Sequence, residues 1–278
     1  MKNTVLSLIF LVGSFASAQV QTPQPSPTAQ LSQTVGLTEV TVKYSRPSKK
    51  GRDIFGALVP FGEIWRTGAN QNTIISFSDA VTIADQEIAA GEYAIYTRPG
   101  KATWEVFFYS ETTNWGNPGE WDVAKVAATI EVSAIDTDNI ESFEIWISKL
   151  NNNGATLNIG WSTTMVSVPF GVPTVAKATA SIQEAMKNDP KDRDYYNAAV
   201  YYLQEGQDLN QAKEWIAKAV GANGEAYWYL RQQSLILAGL KDVDGAIAAA
   251  KSSLELATKA GNTDYITLNE ASLAEWSK

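Results

Sequence analysis

Arginine and asparagine side chains between Val42 and Thr73 are the groups in this chain whose types and spacing could do chemistry. Arg46, Arg52 and Arg66 each lie close to a proline or glycine at which the backbone can turn, and Asn70 follows them. A guanidinium presents a planar fork of hydrogen-bond donors that matches a carboxylate or a phosphate. The four side chains therefore predict a polar pocket for an anionic or polyhydroxy ligand.

The same arginines also have a purely structural interpretation, which the sequence leaves open. They could pair with Asp53, with Glu63 or with backbone carbonyl groups and so hold long loops together. In that case the block would contribute to stability and would bind nothing.

Tryptophans are the second feature of this region. Trp65 lies within the arginine block, and Trp115 and Trp121 flank a Gly-Asn-Pro-Gly-Glu loop. An exposed loop tryptophan would suit stacking on a sugar ring, whereas the two loop tryptophans could equally anchor their loop by packing. The predicted set of ligand-binding residues, for a small polar, anionic or sugar ligand, is Arg46, Arg52, Trp65, Arg66, Asn70 and Trp115.

The absence of histidine and cysteine from the chain excludes several classes of catalytic site. A Ser-His-Asp triad, a cysteine nucleophile and a zinc site of thiolates or imidazoles all need one of these residues. Four acids, Asp53, Glu63, Glu120 and Asp122, could supply the two carboxylates of a glycan or ester hydrolase, but their spacing selects no pair. We therefore predict a binding or scaffolding protein with no catalytic residue, metal site or cofactor, and a carboxylate hydrolase is the alternative.

The net charge and the N-terminal segment bear on partners and location. A net charge of −8 and a pI of about 4.7 argue against a nucleic-acid partner. Residues 1–18 have the pattern of a secretory signal peptide, because Lys2 precedes the apolar segment 4–15 and Ala16-Ser17-Ala18 matches a cleavage site. We expect an exported protein, periplasmic or secreted, with no membrane span after signal cleavage, since a span needs about 20 apolar residues.

The rest of the chain shows two hydrophobic periods. Residues 19–34 are polar and contain prolines, which predicts a flexible lead-in. Residues 35–172 carry short alternating segments separated by turn residues, typical of an antiparallel β-sandwich, with a small closed barrel as the alternative. Residues 173–278 carry amphipathic helical patterns. The predicted fold class is α+β with two domains.

An internal repeat runs through the helical half. Asp208 and Ala212 recur 34 residues later as Asp242 and Ala246. This period and these residue types resemble the tetratricopeptide repeat. They predict paired helices and a surface on which a protein partner could bind.

Several strings in the β half resemble the domain-of-unknown-function 2911 family. They are Tyr44-Ser45-Arg46-Pro47-Ser48, Lys50-Gly51-Arg52-Asp53-Ile54-Phe55-Gly56 and Trp65-Arg66-Thr67-Gly68-Ala69-Asn70. The resemblance implies an exported protein of a type known mainly from Bacteroidetes-type bacteria, with a β domain followed by tetratricopeptide-like helices and no established activity. The family pattern continues with Glu-Ala-Thr after Asn70, whereas this chain has Gln71-Asn72-Thr73, so the resemblance supports no acid acting at that position.

Overall fold

The chain divides into a strand-built unit and a helical unit. The computed structural model describes residues 21–278, and these divide into two compact units, one up to Pro173 and one from Thr174 to Lys278. The predicted α+β class, with a sheet domain followed by a helical domain, is confirmed. The predicted signal peptide, residues 1–18, and the first two residues of the predicted lead-in lie outside the described residues.

Ten strands make up the described part of the first unit. In chain order they are β1 (Thr28–Val35), β2 (Thr38–Ser45), β3 (Thr73–Phe77), β4 (Val81–Ile83), β5 (Gln86–Ile88), β6 (Gly91–Pro99), β7 (Thr103–Tyr109), β8 (Val126–Ser133), β9 (Ile135–Asn151) and β10 (Gly154–Gly171). They form two antiparallel sheets, with strand orders β1-β2-β3-β6-β7-β8 and β5-β4-β10-β9.

Alternation of apolar and polar residues explains why the two sheets pack against each other. Strand β2 buries Val40 and Val42, while Glu39 before them and Lys43 after them are exposed. Inward residues of both sheets join in one buried cluster. Its largest fully buried side chains include Trp104 of β7 and Trp161 of β10. One core shared by two sheets is the predicted sandwich.

Strand β1 occupies the second half of the segment predicted to be a flexible lead-in. The prediction of a flexible segment over residues 19–34 is wrong for its second half, because Thr28–Val35 pairs with β2 along its whole length. Ala29 and Leu31 pack against the core, and Val35 is fully buried. These inward positions follow the period of two of a strand, but the polar residues between them and the prolines before them dilute the pattern in the sequence.

The last two strands are longer than the alternation predicts. The sequence patterns over 142–147, 156–161 and 165–170 predict three short strands, whereas β9 and β10 are 17 and 18 residues long. Register shifts between Gly160 and Thr164 interrupt the alternation within β10. The pairing with β9 continues on both sides of this irregularity, as it does at β-bulges.

A second, smaller cluster lies on the other face of the six-stranded sheet. Tyr96 alternates with the core residue Ile95 along β6 and packs against Tyr109 of β7. Trp121 covers both, with its ring centroid 4.9 Å from that of Tyr109. The Tyr96 hydroxyl donates to the carbonyl oxygen of Gly116 at 3.2 Å, which fixes the loop after β7 on this face.

Six helices form the second unit. They are α1 (Thr174–Lys187), α2 (Asp192–Gln204), α3 (Leu209–Ala222), α4 (Tyr227–Gly239), α5 (Val243–Ala260) and α6 (Thr263–Trp276). Helix α2 packs on α3, α4 on α5, and α5 on α6.

The 34-residue repeat corresponds to repeated helix ends and repeated buried positions. Asp208 and Asp242 are the N-caps of α3 and α5 and accept hydrogen bonds from the backbone N–H groups of the first turn. Ala212 and Ala246, which follow them by four residues, are fully buried. The structure therefore confirms paired helices, and the assignment of these pairs to the tetratricopeptide class stays a prediction.

Tyr96→Phe is expected to be slightly less stable than the native protein at neutral pH. It is also expected to lose less stability than the native protein when the pH is raised into the alkaline range. Burial raises the pKa of Tyr96 above its ordinary value, so above about pH 10 the unfolded chain releases a proton that the folded protein keeps. The free energy of unfolding of the native protein therefore falls as the pH rises through about 10. The variant lacks this ionisation, although it loses a hydrogen bond worth about 1 kcal/mol.

Urea denaturation at a series of pH values, followed by tryptophan fluorescence, measures both effects. If the free energy of unfolding falls equally at alkaline pH in the native protein and in Tyr96→Phe, Tyr96 is not the group responsible.

Candidate ligand-binding site

Trp65 fixes the long loop between β2 and β3 to the sandwich. Its backbone N–H donates to the carbonyl oxygen of Thr97 at 2.8 Å, and the Thr97 N–H donates back at 2.9 Å. The Trp65 side chain packs edge-on against Phe143 and parallel to Trp161, with centroid distances of 5.3 and 6.0 Å. One residue thus ties the loop to β6 by hydrogen bonds and to β9 and β10 by aromatic packing.

The next turn of this loop has a backbone that few residue types adopt. Thr67, Gly68 and Asn70 have φ angles of 53°, 146° and 60°. A Cβ on Gly68 would lie 3.2 Å from the carbonyl oxygen of Ser45. Asn70 Nδ2 donates to the carbonyl oxygen of Ser26 at 3.2 Å, so the turn also holds the segment before β1 in place.

A second segment of the same loop reaches this region along β9. Ser48 forms an isolated antiparallel bridge with Ser142. The backbone N–H of Lys49 donates to the carbonyl oxygen of Glu141 at 2.7 Å, and that of Lys50 donates to the Glu141 carboxylate at 2.8 Å. The edge of the second sheet therefore sets the position of the cationic residues that follow.

These two segments and the segment before β1 enclose a pocket of about 480 Å³. Three cationic residues, Lys50, Arg52 and Arg66, belong to its lining, and no Asp or Glu does. The chain as a whole carries a net charge of −8. A local group of cations without acids produces a positive potential that attracts anions.

Arg52 is exposed but held in place by the protein. Its Nε donates to the carbonyl oxygen of Lys49 at 2.9 Å, and its Nη2 donates to that of Ser48 at 2.6 Å. Among the described residues no carboxylate forms a salt bridge with it. The two carbonyl groups orient the guanidinium without neutralising its charge, which is the preorganisation that favours anion binding.

Arg66 carries a partly desolvated charge. Its Nε is buried and has no hydrogen-bond partner in the described part of the chain. Burial lowers the pKa of Arg66, and an electrostatic interaction with Tyr96 offsets part of that change. Arg66 belongs to the pocket lining, and no acid in residues 21–278 forms a salt bridge with it.

Arg46 and Asn70 do not belong to the pocket lining, although the sequence places them in the predicted set. Arg46 Nε donates to the carbonyl oxygen of Phe143 at 2.9 Å, and its Nη2 lies 3.7 Å from Glu144 Oε2. This is the internal pairing of the structural interpretation. Asn70 acts on the pocket indirectly, because its amide binds Ser26, which is a lining residue.

Trp115 is also absent from the pocket. Its side chain is 74 % exposed, and its loop is held by other groups. Asn117 Nδ2 donates to the carbonyl oxygen of Ile64 at 2.6 Å, and Trp121 packs on the second cluster. The predicted set of six residues therefore does not form one site, since the structure brings together only Arg52, Trp65 and Arg66.

Lys50, Leu58 and Trp161 line the pocket but were not in the predicted set. Lys50 lies in the arginine block, where its charge was a usable signal. Leu58 lies in a turn, and nothing in its sequence context indicates a ligand. Trp161 falls in a strand pattern and is 2 % exposed, so the sequence indicates only a core residue. Its role at the pocket comes from its contact with Trp65, which no spacing predicts.

The four acids considered for a hydrolase do not meet in the pocket. Asp53, Glu63, Glu120 and Asp122 are all exposed, and none belongs to the pocket lining. Asp122 instead caps a short 3₁₀ helix by accepting from the backbone N–H of Ala124 at 2.9 Å. Within residues 21–278 no group of three or more acids is arranged to hold a metal ion.

The described residues form a β-sandwich that carries a pocket lined by cationic residues, and paired helices follow it in the chain. The family model described as "Protein of unknown function (DUF2911)" matches residues 26–170, which is more than half of the chain. The chain belongs to this family, as the loop strings predict. The match spans the sandwich and the pocket and ends before the helices. No curated protein matches the chain.

None of the helices in residues 21–278 is both long enough and apolar enough to cross a membrane.

Gly68→Ala is expected to destabilise the protein by about 3 kcal/mol. The φ angle of 146° is unfavourable for alanine, and the new Cβ would lie 3.2 Å from both the Ser45 carbonyl oxygen and Thr73 Oγ1. Gly51→Ala is the matched control, because its φ is 72° and no atom lies within 4 Å of the added Cβ. Its cost should be about 1 kcal/mol. Urea denaturation compares the two, and equal costs would show that close packing at Gly68 is unimportant.

Arg66→Met is expected to leave the free energy of unfolding unchanged or to raise it by up to about 1 kcal/mol. Methionine keeps the apolar stem and removes a buried nitrogen that has no partner. Arg46→Met is the comparison, because Arg46 has partners, and it should lose about 1–2 kcal/mol. Urea denaturation measures both variants. If Arg66→Met lowers the free energy of unfolding as much as Arg46→Met does, the structural interpretation applies to Arg66 as well.

Proposed function

We propose that this protein is an exported binding protein whose β-sandwich holds a small anionic ligand in the pocket lined by Lys50, Arg52 and Arg66. The observation that carries this proposal is a lining with three cationic residues and no acid in an acidic chain. Export to the periplasm or beyond the cell is supported by the signal-peptide pattern of residues 1–18.

The size of the pocket favours a small molecule as ligand. A volume of about 480 Å³ lies within the range of small-molecule sites, about 300–1,000 Å³. Arg52, with its guanidinium fixed by two carbonyl groups, supplies a fork suited to a carboxylate or a phosphate.

Neither alternative from the sequence is favoured at this pocket. A carboxylate hydrolase needs two facing acids, and the lining contains none. The purely structural interpretation suits Arg46, which pairs internally, but it does not account for Arg66, whose Nε has no partner among the described residues.

The helical unit is proposed as a surface for a protein partner, which would make the protein a scaffold of the bacterial envelope. The support is the 34-residue repeat with its repeated caps and buried small residues, because stacked helix pairs often present binding surfaces. Photo-cross-linking from surface positions of α2 and α4 in cells tests it, and cross-links to no protein would count against it.

Titration calorimetry of the chain from Gln19 onward tests the anion-binding proposal. Inorganic phosphate and acetate should bind, with affinity that falls as salt is raised, whereas glucose should not. Arg52→Gln should weaken binding about tenfold or more, as expected for a charge-assisted hydrogen bond.

Arg98→Gln is the matched control. It removes the same charge from the same unit, but Arg98 pairs with Glu105 at 2.6 Å and is not part of the pocket lining. Equal weakening by Arg52→Gln and Arg98→Gln, or no binding of either anion, would refute the proposal.

A further inference from the structure

The pocket wall is apolar as well as cationic. Beside the three cations it contains Leu58, Val59, Trp65 and Trp161, and two prolines, Pro25 and Pro47. A bare inorganic anion would satisfy the cations and leave the exposed apolar residues of this wall, Leu58 and Pro25, in water. A neutral sugar would leave the cations without a counter-charge.

Leu58 is the apolar residue most available to a ligand. Leu58 is 49 % exposed, although burying a leucine side chain away from water is favourable in free energy. The backbone around Leu58 is held by hydrogen bonds. The Leu58 N–H donates to the carbonyl oxygen of Asp53 at 3.3 Å, and the Val59 N–H donates to the carbonyl oxygen of Ile54 at 2.8 Å. The exposed position of Leu58 is thus fixed by the turn.

A fixed apolar side chain and an oriented guanidinium in one pocket restrict the chemistry of the ligand. We propose that the ligand is an amphiphilic anion, in which one carboxylate or phosphate group is joined to an apolar body. The anionic group binds at Lys50 and Arg52, and the apolar body covers Leu58 and Pro25, which are exposed apolar residues of the lining. This inference rests on the proposed anion-binding function and adds the second half of the ligand.

A series of straight-chain monocarboxylates from acetate to octanoate, with inorganic phosphate alongside, provides the probe. Titration calorimetry on the chain from Gln19 onward should show affinity rising about fourfold for each methylene that becomes buried. The rise should stop when the pocket is full. Phosphate, which has no apolar body, should bind more weakly than octanoate.

Two variants separate the anionic contribution from the apolar contribution. Leu58→Ser should flatten the dependence on chain length, so that octanoate loses far more affinity than acetate does. Arg52→Gln should weaken every member of the series by a similar factor. Leu37→Ser is the control for Leu58→Ser, because Leu37 is also 49 % exposed and lies outside the pocket lining. It should change neither property. Melting temperatures verify that each variant is folded.

The possible results lead to different conclusions. If all members bind with the affinity of acetate, the amphiphilic ligand is refuted and the anion-binding function stands. If neither the carboxylates nor phosphate bind, the proposed function fails and this inference fails with it. If affinity rises with chain length but is the same in Leu58→Ser as in the native protein, the apolar body binds elsewhere and the inference is overturned.

Discussion

The packing of the Trp65 ring in the core between the two sheets is the interaction on which the candidate site depends. The loop between β2 and β3 has no regular structure of its own, yet Trp65 pairs with Thr97 of β6 and contacts aromatic rings of β9 and β10. Burying a side chain of this size is worth several kcal/mol, which is enough to order the strained turn that follows. The pocket wall is therefore an extension of the core and has the core's rigidity.

The second constraint is electrostatic. A guanidinium that is partly removed from water costs free energy unless an acid or an acceptor compensates it. Arg46 is compensated by Phe143 and Glu144, and Arg52 by two carbonyl groups. Arg66 has neither kind of partner within residues 21–278. Arg46 is paired with an acid, whereas Arg52 and Arg66 form no salt bridge within residues 21–278, and it is these two arginines that belong to the pocket lining.

The sequence predicts elements well where periodicity is strong and side-chain placement poorly where it depends on distant contacts. The sequence patterns over 38–44 and 243–260 have clear periods of two and 3.6, and strand β2 and helix α5 lie within a residue of these bounds. The sequence does not predict strand β1, because prolines precede it and the polar Gln33 occupies one of its half-buried inward positions. The arginine block located the pocket, but the separation of Arg46 from Arg52 depends on β9, far away in the sequence. No local pattern contains that information.

The residues of the lining are also the reason for proposing binding, and not catalysis, at this pocket. Arginine keeps its proton under ordinary conditions, so Arg52 and Arg66 can stabilise negative charge but cannot accept a proton from a reacting group. Acid–base catalysis needs a group that exchanges protons near the working pH, and of the charged residues in the lining only Lys50 belongs to a type that can. A single exposed lysine without a partner acid or base does not form a catalytic pair. Under the proposed function, the pocket supplies a fixed positive field beside an exposed leucine, and both would act on a ligand by holding it.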